Sequence, residues 1–202
     1  MGSRSRSGSA GSEGRGVRSA IGILTLAALV GGLPMVALCA DPVVPPAIQA
    51  AMTVKMLEYD RALKTWAGSR LTVGIITKAG GANASEFTQA LTGRDAQGVP
   101  LKPLEYVYRD ADSLTRWIET NGVRLACLSP DLGDDARAAI LSALATRKLP
   151  TMAATRAQFQ NGATLGIVVK EGKPHILVSL AASKAAGMDL DPKLLQLAEV
   201  VR

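Results

Sequence analysis

Histidine occurs once in this chain of 202 residues, cysteine twice, and aromatic residues make up only 3% of it. Each shortage excludes something. One histidine, His175, cannot build a His-rich metal centre, and no Cys or acid cluster has the spacing of metal ligands. Two cysteines, Cys39 and Cys127, cannot supply a disulfide framework. Cys127 lies in the apolar run "VRLACLSP" and reads as a buried thiol, with a reactive or intermolecular cysteine as the alternative. Few aromatics and basic residues that never cluster argue against nucleic acid as a partner. The net charge of +6 does not change that, because residues 1–40 hold four arginines and one glutamate and so carry half of it.

Charge is absent altogether from residues 20–38, "AIGILTLAALVGGLPMVAL". Arg15 and Arg18 precede this run and small residues follow it, the order of a secretory signal. Cleavage after Cys39 or Ala40 fits this pattern. An uncleaved anchor is the alternative, although Gly31, Gly32 and Pro34 weaken a continuous helix. Cys39 resembles a lipoprotein attachment site, but bulky Leu38 stands where a small residue is wanted. The expected organisation is therefore a signal peptide or N-terminal anchor over residues 1–40 and a single domain over residues 41–202, large enough for its own core.

Catalytic and nucleotide motifs are missing as well. The loop "KAGGANAS" after the first strand matches neither a dinucleotide fingerprint nor a P-loop. No G-x-S-x-G elbow presents a serine. His175 falls beside a hairpin turn and reads as an exposed turn residue. No cofactor and no catalytic residue are expected.

What is present is alternation. Ile48, Met52, Met56, Leu57, Leu63 and Trp66 recur at helical spacing over residues 46–67. "RLTVGIITK" (70–78) reads as a buried parallel strand. Ser85 is the expected cap of the next helix. A strand over Leu104 to Tyr108 precedes a helix that Asn121-Gly122 closes. A strand at 123–130 leads to a helix at 131–148, with Asp131 as cap and Asp134 and Asp135 in its first turn. A short strand at 149–156 and a hairpin at 163–180 turning at Gly172 follow. Two helices close the chain, the second carrying Leu194, Leu195, Leu197, Ala198 and Val201 as one apolar stripe. This predicts an α/β fold, a three-layer αβα arrangement with a mostly parallel sheet and an antiparallel C-terminal hairpin. Parallel sheets place ligands at the carboxyl ends of their strands, so Gly80, Gly81, Ser129 and Asp131 are the candidate ligand or partner loops.

The closing stretch "VSLAASKAAGMDLDPKLLQLAEVV" resembles the C-terminal signature of the YfiR/HmsC-like family of periplasmic proteins. Ala181, Ala182, Ala186, Gly187, Leu194, Leu195, Leu197 and Ala198 fit that signature. "KMLEYDRALKTW", "VRLACLSPDL" and "FQNGATLGIVVKEGKPHILVSL" are compatible with its earlier segments, so the likeness spans about residues 47–201. The chain departs from the pattern at Ala67, Ala163 and Ser179. Some members hold disulfides tied to redox control, which Cys127 alone cannot reproduce. The resemblance implies a non-enzymatic periplasmic regulator that restrains an inner-membrane signalling protein, a diguanylate cyclase or a sensor kinase. It thereby links the chain to cyclic di-GMP signalling. A small-solute-binding module serving a transporter or sensor kinase is the alternative. A homodimer is compatible with either. An unrecognised hydrolase ranks third, because no nucleophile–base pair announces itself.

Overall fold

A computed structural model describes residues 42–79 and 81–201. The expected signal or anchor, Cys39 and Gly80 lie outside the described residues. In chain order the elements are α1 (Pro46–Glu58), α2 (Leu63–Ala67), β1 (Leu71–Thr77), α3 (Ala82–Leu91), β2 (Asp95–Ala96), β3 (Val99–Val107), α4 (Ala111–Asn121) and β4 (Leu125–Leu128). There follow α5 (Asp134–Thr146), β5 (Thr151–Ala153), α6 (Arg156–Gln160), β6 (Leu165–Lys170), β7 (Lys173–Ser179), α7 (Leu180–Ala185), α8 (Pro192–Leu197) and β8 (Ala198–Val201).

One sheet orders the strands β2-β3-β1-β4-β5-β6-β7-β8. From β3 to β6 every pairing is parallel. The β6–β7 hairpin is antiparallel, as is the short β2–β3 pair, and β8 returns parallel to β7. The fold is α/β with the expected antiparallel C-terminal hairpin. Strand periodicity explains why two helical layers are needed. Val73 and Ile75 of β1, Leu125 and Cys127 of β4, and Leu165 and Ile167 of β6 join one apolar cluster with Met56, Phe87 and Leu194. Ile76, Ala126, Leu128 and Val168 point the other way, into a second cluster with Leu114, Ile140 and Phe159. Gly74 lets α4 approach: a Cβ there would meet Val123 at 2.9 Å and the Trp117 ring at 3.0 Å.

Several local readings hold. Gly122 closes α4 in the left-handed region, φ 61°. Glu171 and Gly172 both have positive φ at the β6–β7 turn, the geometry a two-residue hairpin favours. Gly187 ends α7 at φ 79°, and the Asp191 carboxylate caps α8 ahead of Pro192. Cys127 is 2% exposed, as a buried strand thiol should be.

Others need correction. The helix expected over 46–67 is two helices, separated where Asp60 turns inward to hydrogen-bond with Ala62, Trp66 and Asp189. Ser85 does not cap α3; Gly81 stands at that position, and the Ser85 hydroxyl lies 3.4 Å from Glu105. Asp131 does not cap α5, which begins after Gly133, although Asp134 and Asp135 do occupy its first turn. The strand expected at 104–108 runs from Val99 to Val107, and α6 and β2 escaped the sequence reading. His175 is half-buried within β7 rather than exposed at the turn, with Nε2 3.8 Å from Glu199. The closing helix stops at Leu197, and Ala198–Val201 pair with β7 as an edge strand, because β7 offers an open row of backbone groups.

Ion pairs secure that edge. Glu199 takes Arg156 Nη1 at 2.8 Å and Nη2 at 3.2 Å, and Lys170 Nζ at 3.1 Å. Hydrogen bonds from Arg156, then Lys170, hold its carboxyl at about 2, well below its ordinary 4.5. The lowered value makes the sign definite. Glu199 stabilises the fold fully above about pH 4.5, and that contribution fades as pH falls towards about 2. The difference in urea midpoint between the native chain and Glu199→Gln should accordingly be larger at pH 7 than at pH 3. An equal difference at both would mean that the pairs contribute nothing.

Candidate functional site

The order β3-β1-β4 makes a topological switch point. From β1 the chain crosses to β3 on one side, then returns through α4 to β4 on the other. Doubly wound sheets bind ligands in the crevice outside the carboxyl ends of the strands at such a point. Three of the four sequence candidates gather near it. Ser129 follows β4, is 7% exposed, and donates its backbone N–H to Ile76 at 2.8 Å. Asp131 lies two residues further on. Gly81 is exposed and begins α3, whose Asn83, Ala84 and Phe87 line the crevice. Gly80 lies outside the described residues.

Asp131 is committed within the fold. Its Oδ2 accepts from the Thr77 hydroxyl at 2.8 Å, the Lys78 N–H at 3.0 Å and the Ala79 N–H at 3.3 Å. Burial pushes its carboxyl up, but hydrogen bonds from Thr77, Ser129, Lys78 and Ala79 outweigh that and hold it below the ordinary carboxylate value. A carboxylate so satisfied ties the end of β1 to the loop after β4. Held below the ordinary value, it is poorly suited to act as a base. The Ser129 carbonyl is likewise taken, by Gln158 Nε2 at 2.7 Å. Gln158 in turn completes the capping box that starts α6.

A crevice at this end of the sheet is what the solute-binding alternative predicts, but its lining by the segment before α1 is not legible in the sequence. Val44, in the extended segment before α1, is 1% exposed and lines it with Ile75, Phe87, Cys127 and Leu128. About 10 Å³ remains free for water, roughly one molecule, against about 300–1,000 Å³ for a typical small-molecule pocket. Burial pushes the Cys127 thiol, at the crevice wall, up to about 12, so it is inert in this conformation. "PVVP" before the first helix was the only trace of this arrangement in the sequence. Among the described residues no group of three or more His, Cys, Asp or Glu could hold a metal ion.

The strand order and the helices on both faces define a doubly wound α/β domain. The chain belongs to the YfiR/HmsC-like family, whose model matches residues 46–199. Membership supports a periplasmic regulatory protein in a non-catalytic family. No curated protein matches the chain. Among solved structures, a conserved domain protein from Vibrio cholerae O1 biovar eltor matches with a TM-score of 0.55 at 15% identity, over 80% of this chain and 61% of that one. An ABC domain in complex with L-Trp from Streptococcus pneumonia matches with a TM-score of 0.55 at 12% identity, over 78% and 62%. The chain thus spans about three fifths of the length of each, and at such identities the likeness is one of fold. No helix among the described residues is long and apolar enough to cross a membrane.

Proposed function

We propose that residues 41–202 act as one exported domain that binds and restrains the periplasmic sensor part of an inner-membrane signalling protein, a diguanylate cyclase first and a sensor kinase second. Membership of the YfiR/HmsC-like family carries this reading. The filled crevice supports it, because a regulator that acts by protein contact needs no preformed solute pocket. Export through residues 1–40 places the domain on the same side of the membrane as that sensor part. The domain performs no chemistry of its own in this scheme.

A second reading, a small-solute module serving a transporter or sensor kinase, is favoured by the switch-point position of the crevice. It requires Val44 to leave first.

Affinity capture from membranes on the domain, with mass spectrometry of the retained proteins, separates the two. Specific retention of a cyclase or sensor kinase is expected. Retention of no membrane protein, in mild detergent and low salt, would turn the assignment to the solute module.

A further inference from the structure

Val44 sits where doubly wound sheets place their ligands, and the way it is held says what the crevice selects. The segment from Pro42 to Pro45 is extended, with Pro45 at φ −53° and ψ 139°. Its two valines alternate: Val43 is 36% exposed and Val44 1%. Among the described residues, Pro42, Val43 and Val44 make no backbone hydrogen bond. Val44 is the buried side chain of this segment, while Val43 stands at the exposed rim of the same crevice.

The wall it meets carries no charged residue. Ile75, Phe87, Cys127 and Leu128 provide apolar surface. Gln49, 7% exposed as a residue, provides a side-chain amide with no hydrogen-bond partner among the described residues, its polar atoms still in reach of water. An amide with free donors and a free acceptor at the edge of an apolar hole suits an extended backbone carrying an aliphatic side chain. It suits an ionic ligand poorly.

We propose that the crevice at the carboxyl ends of β1 and β4, against α1 and α3, is a peptide slot for one branched aliphatic side chain on an extended, uncharged, proline-bracketed segment, filled by Val44 in cis and open to a partner's segment of the same chemistry once Val44 lifts. Only the source of the incoming segment rests on the regulatory reading; the slot does not. The two segments compete for one hole, so partner binding releases residues 42–45 from the domain.

The test uses the full chain and reads alkylation of Cys127 by iodoacetamide, followed by mass spectrometry of the peptide containing it, which separates it from Cys39. Val44→Asp should expel the segment and bring the thiol down from about 12, raising labelling about tenfold or more. Val43→Asp, at the exposed rim of the crevice, should raise labelling far less. Circular dichroism confirms that both are folded, and Val44→Ala replaces Val44→Asp if the latter is not. A capped synthetic peptide with the sequence of residues 42–47 should then restore protection in the Val44 variant, and the same peptide with aspartate at its second valine should not. Labelling equal to that of the native chain in the Val44 variant would overturn the slot. So would the absence of protection at millimolar peptide. Protection by the peptide alongside a failed membrane capture would leave the slot standing and remove the regulatory source.

Discussion

Asp60→Ala should cost the fold about 4 kcal/mol, most of the total stability if that lies near the lower end of the usual range of about 5–15 kcal/mol. Asp60 is fully buried. Its Oδ1 accepts the Asp189 N–H at 2.9 Å and the Ala62 N–H at 3.0 Å, and its Oδ2 accepts the Trp66 Nε1–H at 2.7 Å. Its own carbonyl accepts Gln97 Nε2 at 2.7 Å. One residue thus joins the α1–α2 break, the turn before β3 and the loop that precedes α8. Alanine keeps the backbone bond but leaves three donors without an acceptor, each costing about 1–3 kcal/mol when water cannot reach it. Asp60→Asn should cost about half as much, because one oxygen still accepts while the new NH2 faces a donor. Urea unfolding followed by circular dichroism measures both. An Asp60→Ala chain within about 1 kcal/mol of the native one would mean that water reaches the site.

Leu194→Asp is the second large effect, about 4 kcal/mol, the scale of forcing an unpaired charge into apolar surroundings. Leu194 is 1% exposed and joins the apolar cluster that holds Val178 and Leu190. The apolar stripe expected from the sequence gave Leu197 equal standing. The structure separates the two, because α8 ends at Leu197, which is 64% exposed. Leu197→Asp should therefore stay within about 0.5 kcal/mol of the native chain. Limited proteolysis at matched concentrations distinguishes them. A protease-resistant, natively folded Leu194→Asp chain would remove the closing role of α8, and an unfolded Leu197→Asp chain would restore the continuous stripe.

These two residues mark how far the sequence could be read. Leu194 was legible as a core position because Asp191-Pro192 announces a helix start and the leucines after it keep helical spacing. The stop was not legible. "LAEVV" continues the apolar pattern of a helix, and only the open edge of β7, with Arg156 and Lys170 waiting for Glu199, makes it a strand. The break in the first helix was hidden for the same reason. Nothing local in "EYDRAL" stops a helix, and the partners of Asp60 lie 129 residues away at Asp189 as well as nearby. Asp131 shows a local rule losing to tertiary donors. Its place before a helix suggests a cap, yet Thr77, Lys78 and Ala79 claim the carboxylate from the far side of the switch point.

The sequence by itself determined the α/β class, the parallel core strands, the hairpin and the family signature, because each rests on periodicity, turn chemistry or spacing within a short window. It also located the carboxyl ends of the parallel strands, since strand direction follows from alternation with helices. Tertiary structure alone decided what occupies those ends. A valine preceding a helix carries no mark of the hole it will fill, and the hole exists only after β1, β4, α1 and α3 have come together around it.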